Sequence, residues 1–255
     1  MSATDYDLAI VGAGAAGLTG ADFAVELGAR VALIERERIG GDCTWNGCVP
    51  SKSLIKAASV AADARRAGLF GLEVGAPIAD IGRVREYLRS TIQHIYAPTA
   101  PDALRAKGLA VHLGATRFVD PHTLDVEGAT LRARKFLICT GAAPRRPPLL
   151  GLDHVPYLTY KEIFEHDRLP ASMIVIGGGP VGCETAQSYQ RLGASVTIVA
   201  PRLLPRDEPE ASELLSGILA AEGVRHIRSR ARTVHKDGAL AVVETEQGAV
   251  SGELL

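Results

Sequence analysis

The stretch "YDLAIVGAGAAGLTGADFAVELGARVALIE", Tyr6 to Glu35, reads as strand, glycine turn, helix and strand. Leu8 to Val11 form a short apolar run, the length of a buried strand. Gly12, Gly14 and Gly17 then fit G-x-G-x-x-G. Each glycine has a separate job: Gly12 permits the tight turn, Gly14 lets a pyrophosphate approach the backbone, and Gly17 lets helix and strand pack closely. Ala15, Ala16 and Gly17 open the helix, whose first N–H groups and positive dipole end face incoming phosphates. Glu35 ends the second strand roughly 20 residues further on, where a carboxylate accepts from a ribose hydroxyl. The glycines alone would also suit a plain turn. With strand, helix and terminal acid in place, they predict dinucleotide binding.

A second copy follows in "ASMIVIGGGPVGCETAQSYQRLGASVTIVAPR", Ala171 to Arg202. Met173 to Ile176 predict its first strand and Ser195 to Val199 its second. Gly177, Gly179 and Gly182 supply the turn, with Pro180 and Val181 between them. The terminal acid is missing here: Ala200 stands where Glu35 stands in the first copy, and Arg202 and Arg206 follow. A carboxylate would repel a 2′-phosphate, whereas nearby arginines accommodate one. The second site is therefore read as favouring NADP over NAD, the alternative being arginines that merely solvate a loop.

Between the copies, "LRSTIQHIYAPTAPDALRAKG" is helical up to its prolines, and "LAVHLGATRFVDPHTLDVEGATLRARKFLICTGAAP" reads as short strands with turn signals. That insert ends in an apolar strand, Phe136 to Cys139, followed by Thr140 and Gly141. Proline density marks Pro144 to Pro156 as a linker. The fold class expected is α/β: two Rossmann-like dinucleotide-binding domains, 1–148 and 149–255, the second incomplete, with a small antiparallel β insert in the first.

A formal net charge of −1 gives no reason to expect nucleic acid or an anionic membrane as partner. No window reaches the roughly 18 unbroken apolar residues of a membrane helix. The first strand begins within a few residues of Met1, which leaves no room for a secretory signal and leads to a cytoplasmic expectation. In that reducing compartment, a pair among the four cysteines is catalytic or metal-binding more often than structural.

Two of them, Cys43 and Cys48, lie in "GGDCTWNGCVPSK". Metal clamp, structural disulfide, redox pair and unrelated thiols are all compatible with the spacing alone. In one regular helix, residues five apart differ by about 140° around the axis, too misdirected for a bridge. A bridge therefore requires Cys43 in an irregular turn, with a helix starting near Cys48. Gly40, Gly41 and Gly47 supply the freedom, and Pro50 is tolerated near a helix start. Zinc needs four ligands, typically in paired short spacings, and Cys139 and Cys183 are lone residues beside apolar strands or glycine turns. No metal site is assigned.

"VGAGAAG", "GGDCTWNGCVPSK", "ICTGAAP" and "GGGPVGCE", in that order, resemble the pyridine nucleotide-disulfide oxidoreductases, the group of glutathione reductase, dihydrolipoamide dehydrogenase and mercuric reductase. The "SK" after the cysteines and "VAPRLLPRDEPEA" look most like the mercuric-reductase side. The resemblance implies FAD at the first site and NADPH (alternatively NADH) at the second. It implies electron flow through FAD to a Cys43–Cys48 redox disulfide and on to a small-molecule disulfide or a mercuric ion. Cys48 would face the flavin and Cys43 would attack substrate. Lys52 matches a lysine beside the reactive flavin nitrogen, and Glu184 matches its glutamate partner. Taken alone, each could be an ordinary helix residue. Gly41, Asp42, Gly114, Ala115, Thr140 and Gly141 complete the cofactor-binding set expected of the first domain.

This chain departs from the family's pattern in three ways. Asp42 replaces the usual threonine before the first cysteine and puts a negative charge beside Cys43. Pro180 stands where an aromatic residue often gates the nicotinamide pocket. Family members run nearly twice as long, adding a domain whose His–Glu pair serves as acid/base across a homodimer. None of His94, His112, His122, His154, His166, His226 and His235 lies in such a motif, so no acid/base histidine is assigned. The alternative to an active reductase is a catalytically impaired nucleotide-binding fragment.

Overall fold

The computed structural model describes residues 5–255, so the first four residues of the expected 1–148 domain lie outside it. The chain divides into two compact units. The first comprises the residues up to Pro50 with Arg89–Ala143, and the second comprises Ser51–Leu88 with Pro144–Leu255. Residues 51–88 thus group with the later part of the chain, a long-range preference that no local composition shift betrays.

In the first unit, β1 (Tyr6–Val11), α1 (Ala15–Glu26) and β2 (Val31–Glu35) form the expected strand–helix–strand. A one-turn helix, α2 (Gly41–Trp45), follows, and α3 (Cys48–Arg66) begins at the second cysteine. After α4 (Ile81–Tyr96) and α5 (Pro101–Ala106) come β3 (Ala110–Leu113), β4 (Thr116–Asp120), β5 (Thr123–Val126) and β6 (Ala129–Ile138). The sheet order is β3-β2-β1-β6-β5-β4. β1 pairs in parallel with β2 and β6, and β2 with β3. β4, β5 and β6 run antiparallel and form the small insert.

All five residues of β2 are buried, as a central parallel strand covered on both faces requires. Period-two alternation sorts its side chains. Val31 and Leu33 join Ile10, Ala21, Leu104 and Leu109 on one face. Ala32 and Ile34 join Ala9, Leu124, Leu131 and Ala133 on the other. The sheet therefore separates two cores, and its strand ends carry the turns.

The second unit repeats the motif with β7 (Ser172–Ile176), α6 (Pro180–Leu192) and β8 (Ser195–Val199). α7 (Pro209–Ala221) leads to β9 (Arg225–Ile227), and β7-β8-β9 form a parallel three-stranded sheet. β10 (Ala231–Asp237), β11 (Leu240–Thr245) and β12 (Gly248–Gly252) form an antiparallel sheet. One core is centred on Tyr189, Val196, Ile198 and Leu219, and it takes in Leu54, Ala58 and Leu88 from α3 and α4. Burial pushes the Tyr189 phenol up to about 12, so its hydroxyl stays protonated and donates to the Ile163 carbonyl at 3.1 Å. A second core packs Ile174 and Val199 against Val234, Val243 and Val250. Among the described residues, no helix is long and apolar enough to cross a membrane.

Candidate functional site: two glycine turns and a dithiol

The first glycine turn is made by close backbone approach. Gly12 has φ +100°, and its amide donates to the Ile34 carbonyl at 2.8 Å. A Cβ there would lie 2.3 Å from the Cys139 carbonyl oxygen. A Cβ on Gly17 would lie 1.9 Å from the Gly12 oxygen, so helix and strand meet only because neither side chain exists. At Gly14 such a Cβ would meet only the Gly41 Cα, at 3.8 Å, an ordinary contact with the segment packed on this turn. Gly14 caps α1 with extended backbone and no side-chain acceptor, leaving the first-turn amides at Ala15, Ala16 and Gly17 to a ligand. This cradle fits a pyrophosphate.

Glu35 is buried, and its carboxylate is spoken for by backbone. Oε2 accepts from the Ala13 amide at 2.8 Å, and Oε1 from the amides of Glu37 and Arg38 at 2.8 and 3.3 Å. A carboxylate has about four acceptor positions, so one remains for a ribose hydroxyl. Glu35 thus ties the end of β2 to the glycine turn before it touches any ligand. Gly114, just past β3, donates its amide to the Glu35 carbonyl at 2.8 Å. The Ala115 amide is taken by the Glu127 carboxylate at 2.8 Å, a partner nothing in the sequence announced. Thr140 and Gly141 are exposed beyond the end of β6.

The cysteine stretch differs from the expected irregular turn. Cys43 sits in the five-residue helix α2, entered through left-handed Gly40 (φ +105°) and Gly41 (φ +55°), and Asn46–Gly47 interrupt the helix before α3 starts at Cys48. Two glycines at the entry let the chain coil immediately, which a β-carbon at either position would oppose. Cys43 and Asp42 are half-buried, and Cys48 is exposed. A Cβ on Gly41 would come within 2.7 Å of the Gly14 Cα, and the Gly40 amide donates to the Ala13 carbonyl at 2.8 Å. The dithiol segment is therefore packed backbone to backbone on the phosphate-binding turn.

Within the second unit, Lys52 Nζ meets both carboxylate oxygens of Glu184 at 2.8 and 2.7 Å. The two residues lie 132 positions apart in sequence, and the structure brings them together. The lysine side chain is 62% exposed, so such a pair contributes little to stability and its effect is positional.

The second glycine turn has the same backbone plan with different surroundings. Gly177 (φ +117°) donates to the Val199 carbonyl at 3.0 Å, and a Cβ on Gly182 would fall 2.5 Å from the Gly177 oxygen. Gly179 has nothing within 4 Å of a Cβ and caps α6 without a side-chain acceptor. Pro180 at the first helical position removes one amide, so this turn offers a phosphate one donor fewer than the first. Val181 is exposed. Buried Cys183 donates its thiol to the Gly178 carbonyl at 3.5 Å, and burial pushes that thiol up, away from reactivity.

Ala200 occupies the register position of Glu35 and is buried. The chain beyond it folds back on the turn through backbone, with the Leu204 amide donating to the Gly178 carbonyl at 2.6 Å. Arg202 donates to the Asp207 carbonyl at 2.7 Å, whereas Arg206 is exposed. Arg202, Arg228, His226, Ser212, Ser216 and Glu213 help line a cavity of about 310 Å³ at the carboxyl ends of β8 and β9, the edge where open α/β sheets take ligands. His226 and Arg228 had no sequence signal, since only the adjacency of β9 to β8 puts them beside Arg202.

A family model described as pyridine nucleotide-disulphide oxidoreductase matches residues 6–254. Mercuric reductase of Streptomyces lividans is 38% identical over 243 residues, 92% of this chain and 51% of that protein. Dihydrolipoyl dehydrogenase of Bacillus subtilis (strain 168) is 32% identical over 241 residues, 88% of this chain and 50% of that protein. The structure of the HOCl-induced flavoprotein disulfide reductase RclA from Escherichia coli superposes with a TM-score of 0.83 at 25% identity, covering 98% of this chain and 55% of that one. The chain spans about half the length of the curated relatives it matches.

Proposed function

The chain belongs to the pyridine nucleotide-disulphide oxidoreductase family, and on that premise we propose that it is built to carry electrons from NADPH, through FAD, to a Cys43–Cys48 dithiol that reduces a small disulfide or a mercuric ion. The observation that supports this reading best is the direct backbone packing of Gly41 on Gly14, which seats the dithiol segment on the first phosphate cradle. FAD, when bound, supplies the two-electron exchange between nicotinamide and dithiol. The α1 amides, Glu35 and the turn residues would hold its nucleotide end. Lys52, held by Glu184, would supply a positive charge to the flavin. The α6 amides and Arg202 would hold NADPH.

The sulfur chemistry belongs to the chain's own residues. The Cys43 thiolate attacks one sulfur of a substrate disulfide; the substrate S–S bond breaks, and the departing thiolate takes a proton from solvent. The Cys48 thiolate then attacks Cys43 in the mixed disulfide, and the second substrate thiolate leaves. Cys43 and Cys48 end as a disulfide, having given up the two electrons that the substrate gained. A mercuric ion would instead be bound by the two thiolates before its reduction.

A second reading is a module that binds the nucleotides without turnover. An anaerobic titration separates the two. Protein loaded with FAD should develop a long-wavelength charge-transfer band on two-electron reduction, and Cys48→Ser should lose it. A band that survives in Cys48→Ser removes the role given to that sulfur, and binding without NADPH oxidation leaves the second reading.

A further inference from the structure

Trp45 is the chain's single tryptophan, and it sits two residues after Cys43 on α2. A one-turn helix cannot hold itself together, because nucleation costs more than one hydrogen bond returns. No side chain caps α2 at its entry. Three contacts fix Trp45 instead. Its indole N–H donates to the Ile39 carbonyl at 2.8 Å. The Arg38 guanidinium lies over the indole, 3.5 Å from the centroid. The Tyr96 ring packs on it at 4.9 Å between centroids, tilted by 54°.

Arg38 is also one of the residues whose amide Glu35 holds. The segment from Glu35 to Ile39 is therefore a short bridge, bonded at Glu37 and Arg38 to Glu35 and at Ile39 to Trp45. Its first residue has one acceptor position left for a ribose hydroxyl, and its last two grip the indole that anchors the Cys43 helix. A ribose hydroxyl in that remaining position shares the Glu35 carboxylate with the amides of Glu37 and Arg38, and any adjustment of the carboxylate is passed to the guanidinium stacked on Trp45. Glu35 also reaches the entry of α2 by backbone, holding the Ala13 amide while the Ala13 carbonyl accepts from Gly40; the Trp45 clamp is the side-chain route to the other end of that helix.

We propose that Trp45, clamped by Arg38 and Ile39, is a positioning residue that makes the placement of Cys43 depend on a nucleotide held at Glu35. The proposal rests on the reading of the first glycine turn as an FAD site. It is tested on the whole reduced chain by following iodoacetamide alkylation of Cys43, mapped by mass spectrometry from pH 6 to 9 with and without FAD. FAD binding is measured on every variant by flavin fluorescence.

In the unsubstituted chain, FAD should change the Cys43 rate by at least about five-fold, the lower end of ordinary site-to-site coupling. Trp45→Leu should still bind FAD while that ratio collapses toward one. Trp45→Phe keeps the ring under Arg38 but loses the N–H bond, and should retain part of the ratio. Arg38→Met, a change at an exposed side chain, gives the same readout if Trp45→Leu fails to fold, and should also collapse the ratio. Direct shielding of Cys43 by FAD would leave the ratio intact in every variant, and that result overturns the proposal. So does an unchanged Cys43 rate in the original chain despite FAD binding. Failure of the original chain to bind FAD overturns the nucleotide reading itself, and the coupling with it.

Discussion

The two glycine turns share a backbone trace and differ in what stands beside them. Behind Gly12 the sheet continues. β1 is flanked by β2 on one side and by the ten-residue β6 on the other, and the Cys139 amide returns to the Val11 carbonyl at 2.7 Å. Behind Gly177 the corresponding flank of β7 carries one bridge, Met173 to Leu254, whose hydrogen bonds reach only Ser172 and Ile174. The first turn is thus walled in by backbone at Gly12, whereas the second is met by backbone at Gly178 and leaves Gly177 clear. The same sequence signature sits in two different mechanical settings, and the setting decides how much each glycine matters.

The sharpest way to break that comparison is to place alanine at the first glycine of each turn. Gly12→Ala meets the Cys139 carbonyl at 2.3 Å in a left-handed conformation, and neither partner is a side chain that could swing aside. Backbone strain of about 1–3 kcal/mol adds to overpacking of similar size. Gly177→Ala has nothing within 4 Å, so only the strain applies. Urea melts should therefore show Gly12→Ala losing about twice the stability that Gly177→Ala loses, and equal losses would mean the walls do not differ.

A second contrast concerns the residue that ends the second strand. Glu35 stitches the first turn together, while Ala200 leaves the second to Arg202 and the cavity it lines. Arg202→Ala should weaken NADPH binding relative to NADH by about ten-fold, equivalent to roughly 1.4 kcal/mol. Arg206→Ala, outside that cavity, should change the ratio far less. Dissociation constants measured directly, rather than turnover, read this without depending on the rest of the catalytic cycle. A larger effect at Arg206 would relocate the phosphate contact.

Both turns were legible in the chain because their information is local. Glycine spacing, apolar strands and a terminal acid all fall within about thirty residues, and β8 matches the predicted Ser195–Val199 residue for residue. The Lys52–Glu184 pair was also anticipated, through the resemblance rather than through spacing. What stayed hidden depends on neighbours distant in sequence. Tyr96 reaches Trp45 from another helix, Glu127 takes the Ala115 amide, and His226 comes beside Ala200 only once β9 pairs with β8. The grouping of residues 51–88 with the later chain rests on the same kind of packing, in which Leu54 and Ala58 share a core with Tyr189. Glu35 itself was expected to serve a ligand. Its prior commitment to three backbone amides could not be read from its position alone.

His226 offers the smallest and most specific test of the difference between the turns. In the first unit a carboxylate secures the strand end; in the second, His226 Nε2 donates to the Ala200 carbonyl at 2.9 Å. That bond fixes the tautomer and leaves Nδ1 as the site that must take up a proton, yet Nδ1 is buried with no hydrogen-bond partner among the described residues. Burial, reinforced by the nearby Arg228 charge, lowers the histidine below its usual 6.5 despite the opposing effect of the Ala200 bond. Arg202 and Glu213 line the same cavity, one of each sign. A base whose folded value is depressed binds fewer protons folded than unfolded, so stability rises with pH through this window. The contribution is complete above about 6.5 and is lost as pH falls from there toward the lower folded value. His226→Asn, which can still donate to the Ala200 carbonyl but does not titrate, should flatten that slope in urea melts between pH 5 and 7. An unchanged slope would assign the acid sensitivity elsewhere and leave the carbonyl bond as the histidine's whole contribution.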